Sequence, residues 1–240
     1  MQNESLSIVL PALNEAKNLE GTIASALAAV SKLVSEFEVL VVDDGSTDAT
    51  AEVCRRLAFA NPSIRLCRHE QQRGYGAALR TGLTKAGCDL VFFTDADGQF
   101  SFDEIGDFLN AIDSVDMVIG YRVDRQDPWF RKVNSRIGNW IARRQFGVRA
   151  RDINCAYKLL RRAALQQLPL VSNGAMINTE LLAHAAREGW IFHELPVNHF
   201  PRTHGRATGA DLFVIARTFA EYFALRRRFA KLQTLTKSPS

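Results

Sequence analysis

Short, nearly uninterrupted apolar runs alternate along the first half of the chain with longer segments whose apolar residues recur every three or four positions. The runs over 6–11 (LSIVLP), 37–42 (FEVLVV), 63–67 (SIRLC), 89–94 (DLVFFT) and 116–120 (DMVIG) read as strands. Between them, 15–30, 47–60, 74–86 and roughly 102–113 read as helices, with Ser46 or Thr47 as the N-cap of the second. Strands apolar on both faces and separated by helices predict an α/β fold, a mainly parallel sheet covered on each side. The second half is less regular. It reads as a helix over 129–146, a strand over 153–160, a helix over 178–188, an extended run over 190–200, a basic loop over 201–209 and a last helix over about 211–231. The pattern divides the chain into a catalytic-sized domain, 1–209, and a helical tail, 210–240, of which only the final KSPS reads as disordered.

In parallel sheets, ligands bind outside the carboxyl ends of the strands. Here those ends carry PALNE after the first strand, DDGSTD after the second, DADGQ after the fourth and GYR after the fifth. Polar, glycine-rich turns are ordinary in such loops, and that accounts for Gly45, Ser46 and Gly98. It does not account for acids gathered repeatedly on one edge.

Composition narrows the class. The 240 residues are 47% hydrophobic and 23% charged, the balance of a globular protein with a full core. Cys54, Cys67, Cys88 and Cys155 are widely spaced with no CxxC pair, which speaks against a zinc cluster or a disulfide framework. The first residues lack a signal-peptide pattern, and no apolar stretch reaches the about 18 residues of a membrane span, so the expectation is a cytoplasmic chain. Charge is uneven. Residues 1–121 hold 9 Lys/Arg against 18 Asp/Glu, and residues 122–240 hold 21 against 8. The second half is therefore expected to meet something anionic.

The fourth strand end poses the sharpest chemistry. In an extended segment Asp95, Asp97 and Gln99 share one face. Neighbouring carboxylates remain ionised most easily around a cation, and oxygen-only ligands favour Mg²⁺ or Mn²⁺, which complete their shell with water and phosphate. A metal-held diphosphate is the expected ligand. GxxxxGK[ST] is absent, and GYGAALRTG over 74–82 is not placed as a dinucleotide fingerprint. Asp43 and Asp44 stand at another strand end, where a carboxylate can accept hydrogen bonds from a base or ribose.

Taken in order, IVLPALNEAKNLE, VVDDGSTD, GYGAALRTG, FTDADGQ, GYR and HFPRTHGRATG resemble family 2 glycosyltransferases, and within them the polyprenyl-phosphate branch typified by dolichyl-phosphate mannosyltransferases. The resemblance covers about residues 5–209. It implies a GT-A fold, a nucleotide-sugar donor such as GDP-mannose or UDP-glucose, a divalent cation, inversion at the sugar carbon and a polyprenyl phosphate acceptor. Position by position, it implies nucleotide-sugar contacts at Pro11, Ala12, Asn14, Glu15, Asp43, Asp44, Asp95, Ala96 and Asp97. It implies metal contacts at Asp95, Asp97 and Gln99, an acceptor-phosphate set of Arg122, Arg131 and Ser135, and a loop bearing Arg202 and Arg206 that closes over the diphosphate. Two departures stand out: Arg206 follows Gly205 where Ser and Lys are usual, and Cys155-Ala156 replaces Gly-Phe.

An anionic acceptor needs only to be held, which arginine does with a planar fork. Arg131, Ser135 and Asn139 fall on one face of the predicted helix, within reach of Arg122. An alcohol acceptor would need a base, for which Glu180 is the leading residue and Asp152 an ambiguous second. Glu180 reads first as a helix-start carboxylate or an acceptor-positioning group, Asp152 is similarly open, and His199 and His204 read as loop packing. The segment 210–233 combines Leu212, Phe213, Ile215, Phe219, Tyr222, Phe223 and Phe229 with basic residues. It suits either an anionic membrane surface or docking on the core, on a second copy of the chain or on a membrane protein partner. The rival readings are a hydroxyl-directed family 2 enzyme, a nucleotide-sugar binding module without turnover and, on charge alone, a nucleic-acid binder, which lacks a recognition motif.

Overall fold

The computed structural model describes residues 4–123, 140, 142–202, 204 and 212–235, with side chains from 218 to 231 in the last stretch. Arg131, Ser135, Asn139 and Arg206, and most of the helix expected over 129–146, lie outside the described residues; 142–146 is helical.

Seven strands form one sheet: β1 (Leu6–Ala12), β2 (Phe37–Asp43), β3 (Ile64–Arg68), β4 (Leu90–Thr94), β5 (Met117–Arg122), β6 (Tyr157–Arg161) and β7 (Phe192–Val197). The order is β3-β2-β1-β4-β6-β5-β7. The first four strands and the β5–β7 pair are parallel, and β6 runs antiparallel between β4 and β5. The helices are α1 (Ala16–Val30), α2 (Thr50–Ala60), α3 (Tyr75–Lys85), α4 (Ile105–Ala111), α5 (Arg162–Leu165), α6 (Ile177–Arg187) and α7 (Leu212–Leu235), with a 3₁₀ turn over Ile112–Ser114.

Side-chain alternation along each strand feeds two cores. On β1, Leu6, Ile8 and Leu10 enter one, with Leu19 and Ile23 of α1 and Phe108 of α4. Val9 enters the other, with Leu79 and Leu83 of α3 and Leu181 and Leu182 of α6. Each large apolar side chain fully buried this way is worth about 1.5–3 kcal/mol. α3 lies so close to the sheet that a Cβ on Gly82 would stand 2.2 Å from Val9 Cγ1, so only glycine fits there.

Three expectations change. First, β6 starts later than 153, because 152–155 forms a turn closed by Cys155 N–H donating to Asp152 O (3.2 Å). The strand then inserts mid-sheet, where the Tyr157 ring packs on Phe92, Phe108 and Phe100 at centroid distances of 4.6, 4.9 and 5.6 Å. Second, neither Ser46 nor Thr47 caps α2, which begins at Thr50. The Asp48 carboxylate accepts from Thr50 N (2.9 Å), and the Ser46 hydroxyl instead accepts from Asn14 N (2.9 Å). Third, 95–99 bends rather than running extended. Asp97 Oδ1 accepts from Gln99 N (3.0 Å) across Gly98, whose φ of 73° suits glycine, so the 95/97/99 alternation does not apply.

Candidate active site

The carboxyl ends of β1, β2 and β4 come together as the topology requires. Pro11 and Ala12 end β1 and pair with Val42 and Asp43 of β2, both of them buried. The loops that follow interlock. Asn14, with φ of 57°, uses its side-chain oxygen to accept from Thr47 N (2.9 Å) and Asp48 N (3.3 Å), and Glu15 N donates to Thr50 Oγ1 (2.9 Å). Asn14 thus holds one donor-side loop against another.

Asp43 and Asp44 differ in employment. Asp43 is fully buried; its Oδ1 accepts from Ser46 N (2.9 Å), and its Oδ2 forms an ion pair with Arg68 Nε at 3.1 Å. Asp44 directs both oxygens inward, to His69 Nδ1 (2.6 Å), Arg73 N (3.0 Å) and Gly74 N (2.8 Å), and so fixes the entry to α3.

Asp97 is buried and Asp95 keeps part of its surface exposed, while Ala96 between them is buried and accepts weakly from Thr22 Oγ1 through its carbonyl (3.4 Å). Burial first, and then the negative charge of Asp97, push Asp95 up to about 7 from the usual 3.8. Arg202, from the segment after β7, places Nη2 2.7 Å from Asp97 Oδ2 and Nη1 3.2 Å from Glu15 Oε1. Burial also raises Glu15, whose Oε2 accepts from Asn18 Nδ2 (2.6 Å). Gln99 turns its amide to Phe200, donating to its carbonyl (3.0 Å), and Phe200 N donates back to Gln99 O (2.8 Å). His199 packs on Phe100 at 5.0 Å, and His204 O accepts from Asn18 Nδ2 (3.3 Å), as loop packing would have it. Residues 199–202 are thereby tied across the β4 end, and His204 to α1.

This donor set fits a divalent cation. Asp95, raised by burial and by the charge of Asp97 beside it, gains from a positive charge between the two, and carboxylate oxygens suit Mg²⁺ or Mn²⁺. No cluster of three or more His, Cys, Asp or Glu suited to a metal occurs among the described residues. Mg²⁺ commonly completes a shell of one or two carboxylates with water and phosphate.

Across β5 the picture is equally specific. Arg122 is held in a two-pronged pair by Asp152, Nε to Oδ2 at 2.7 Å and Nη2 to Oδ1 at 3.0 Å, with both side chains largely buried. Glu180 is wholly buried and accepts from Val171 N (3.0 Å), Ser172 N (2.8 Å) and Arg228 Nη1 (3.2 Å) of α7. Its role is to fix the loop before α6 and the last helix. That helix docks one face on the core: Leu225 and Phe229 are buried, and the Phe229 ring lies 5.4 Å from Phe146 and 4.7 Å from His184. The other face leaves Phe219 and Phe223 exposed at 60% and 52%, beside exposed Arg226, Arg227 and Lys231. No helix among the described residues is long and apolar enough to cross a membrane.

Sequence reasoning passed over Tyr75, Lys158 and Asn178, which the structure gathers behind Asp95. The available signal was a lysine in the middle of the apolar run CAYKLL.

Comparisons with known proteins bear on family and fold. The family model for glycosyl transferase family 2 matches residues 7–169. The undecaprenyl-phosphate 4-deoxy-4-formamido-L-arabinose transferase of Edwardsiella ictaluri is 32% identical over 205 residues, covering 84% of this chain and 62% of that protein. The chain thus spans under two thirds of that relative's length. The polyprenol monophosphomannose synthase of Mycolicibacterium smegmatis is 30% identical over 82% of this chain and 78% of its own length. Among solved structures, glucosyl-3-phosphoglycerate synthase from Mycobacterium tuberculosis, in complex with Mn²⁺, UDP and glucosyl-3-phosphoglycerate, superposes with a TM-score of 0.64. It is 22% identical and covers 99% of this chain and 81% of that one, which establishes the shared GT-A fold. The matched family model, spanning the interlocked strand ends and the acidic pair, places the chain in glycosyl transferase family 2.

Proposed function

We propose that the chain moves a hexose, mannose or glucose, from a nucleotide diphosphate sugar to a polyprenyl phosphate, with inversion and with Mg²⁺ or Mn²⁺. The observation that carries the choice of acceptor concerns the two carboxylates that could serve as a base. Glu180 is enclosed by backbone amides and Arg228, and Asp152 grips Arg122. An alcohol acceptor requires proton removal; a phosphate is anionic at neutral pH and requires only to be held and aimed. Two relatives named as transferring sugars to polyprenyl phosphates support the same reading.

In this reading Asp95 and Asp97 would hold the cation, which would supply positive charge toward the nucleotide diphosphate. Arg202, already placed over Asp97 and Glu15, adds a fixed guanidinium on the leaving-group side and shields the site from water. Asp43 and the interlocked Asn14 and Glu15 loops shape the floor for the nucleoside, with Pro11, Ala12 and Ala96 beneath. Asp44 acts through the α3 entry and Gln99 through the Phe200 strap. Arg122, oriented by Asp152, receives the acceptor phosphate with Arg131 and Ser135, and Arg206 adds positive charge for the donor diphosphate. The outward face of α7, with Phe219, Phe223, Arg226, Arg227 and Lys231, meets an anionic membrane surface and keeps the enzyme peripheral on its cytoplasmic side.

The test is a panel of radiolabelled GDP- and UDP-sugars incubated with the protein, Mn²⁺ and either polyprenyl phosphate or polyprenol. The proposal expects organic-phase label with the phosphate alone. Label on the alcohol, or on neither lipid with any donor, contradicts it.

A further inference from the structure

Behind Asp95 lies a line of buried polar side chains that strand pairing does not explain. Lys158 is the second residue of β6 and has no exposed surface. Its ammonium donates to Ile153 O (3.2 Å), to Cys155 O and to Asn178 Oδ1 (3.0 Å), which engages all three of its donors. Asn178, at the second position of α6, is also buried. With its oxygen committed to the ammonium, the end of its amide that remains is the donating NH₂.

Beside that amide, and beside the Asp95 carboxylate, lies the phenol of Tyr75. Its hydroxyl is buried and makes no hydrogen bond of regular geometry. A phenol is protonated at neutral pH, so this hydroxyl has a proton to donate. Nor is the ring free to leave. Tyr75 opens α3, whose entry Asp44 grips through Gly74 N (2.8 Å), and Ala77 N two residues on donates to Asn173 O (3.2 Å). A buried, protonated hydroxyl held between an amide donor and a carboxylate is satisfied by one small closure: accepting from Asn178 Nδ2 and donating to Asp95.

With that closure the direction of donation would run from ammonium to amide to phenol to carboxylate. Groups that ligate metals are characteristically oriented by hydrogen bonds from behind, which select the oxygen that faces the ion. We propose that Lys158, Asn178 and Tyr75 are positioning residues whose relay orients Asp95 as a ligand of the divalent cation. The proposal rests on the reading of Asp95 and Asp97 as the metal site. A relay serving only stability would be replaceable by apolar side chains of like shape with no effect on metal affinity.

The test titrates Mn²⁺ against wild type, Tyr75→Phe and Asn178→Ala, following free Mn²⁺ by electron paramagnetic resonance with and without GDP or UDP and recording Tm for each. The expected result is Mn²⁺ affinity weakened about 10- to 100-fold in both variants. Tyr75→Phe should keep its Tm, and transfer should be restored in it by raising Mn²⁺. Asn178→Ala breaks the relay without touching α3, so the two variants check each other. Wild-type affinity in either folded variant overturns the relay while leaving the metal site standing. Failure of the wild type itself to bind Mn²⁺ with either nucleotide overturns both.

Discussion

Arg202 Nη2 stands 2.7 Å from Asp97 Oδ2, so one guanidinium bridges the segment after β7 to the end of β4. The same group reaches Glu15 at 3.2 Å. Arg202→Ala is expected to lower kcat by about 10²- to 10³-fold, the scale for loss of one fixed electrostatic contact to developing charge. Mn²⁺ affinity without nucleotide should hold or tighten, since a competing cation leaves Asp97. Single-turnover kinetics and Mn²⁺ titration check the two halves separately. A fall in metal affinity would mean that Arg202 builds the site rather than serving the leaving group.

Asp95 makes stability depend on pH in a predictable sense. Burial and Asp97 raise it to about 7 in the folded protein, whereas the unfolded chain releases the proton near 3.8. Between those values the native state binds more protons than the unfolded state, so stability falls as pH rises from about 4 to about 7. Asp95→Asn removes this penalty. Its Tm in EDTA should exceed that of wild type by a margin that widens over that window, while transfer is lost. A margin that stays flat with pH contradicts the assignment.

The Arg122–Asp152 pair is largely buried, and removing one partner breaks a buried ion pair. Asp152→Ala is expected to cost about 3–5 kcal/mol in urea unfolding. In the folded fraction the KM for polyprenyl phosphate should rise, with nucleotide-sugar affinity unchanged. Equal loss of both affinities would place Asp152 in the donor site instead.

The two faces of α7 should separate stability from membrane binding. Phe229→Ala, at 7% exposure against Phe146 and His184, should cost about 3–5 kcal/mol. Phe219→Ala with Phe223→Ala should change stability by no more than about 0.5 kcal/mol per site, yet sharply reduce co-sedimentation with anionic vesicles. Undiminished sedimentation of that pair would remove the membrane role of this face.

The sequence made legible whatever depends on local pattern. Apolar runs marked the strands of the first half, and the acids at their ends marked one edge of the sheet, because strand direction and helical crossovers leave little freedom there. Long-range pairing was hidden. Nothing in TYR-LYS-LEU-LEU spacing over 157–160 announces that β6 enters antiparallel between β4 and β5, a position set by the packing of Tyr157 among distant phenylalanines. Asp43 and Asp44 are adjacent and chemically alike, yet the chain turns one toward Ser46 and the other toward the α3 entry. Lys158 was passed over because a lysine inside an apolar strand has no meaning until its acceptors, Ile153, Cys155 and Asn178, are folded around it.

The most direct measurement compares sugar transfer to polyprenyl phosphate by wild type with that by the Asp95→Ala/Asp97→Ala double variant, each with Mn²⁺ and with EDTA. The account predicts labelled lipid, with nucleoside diphosphate released in equal amount, only from wild type with metal. Full transfer by the double variant, or by wild type in EDTA, would contradict it.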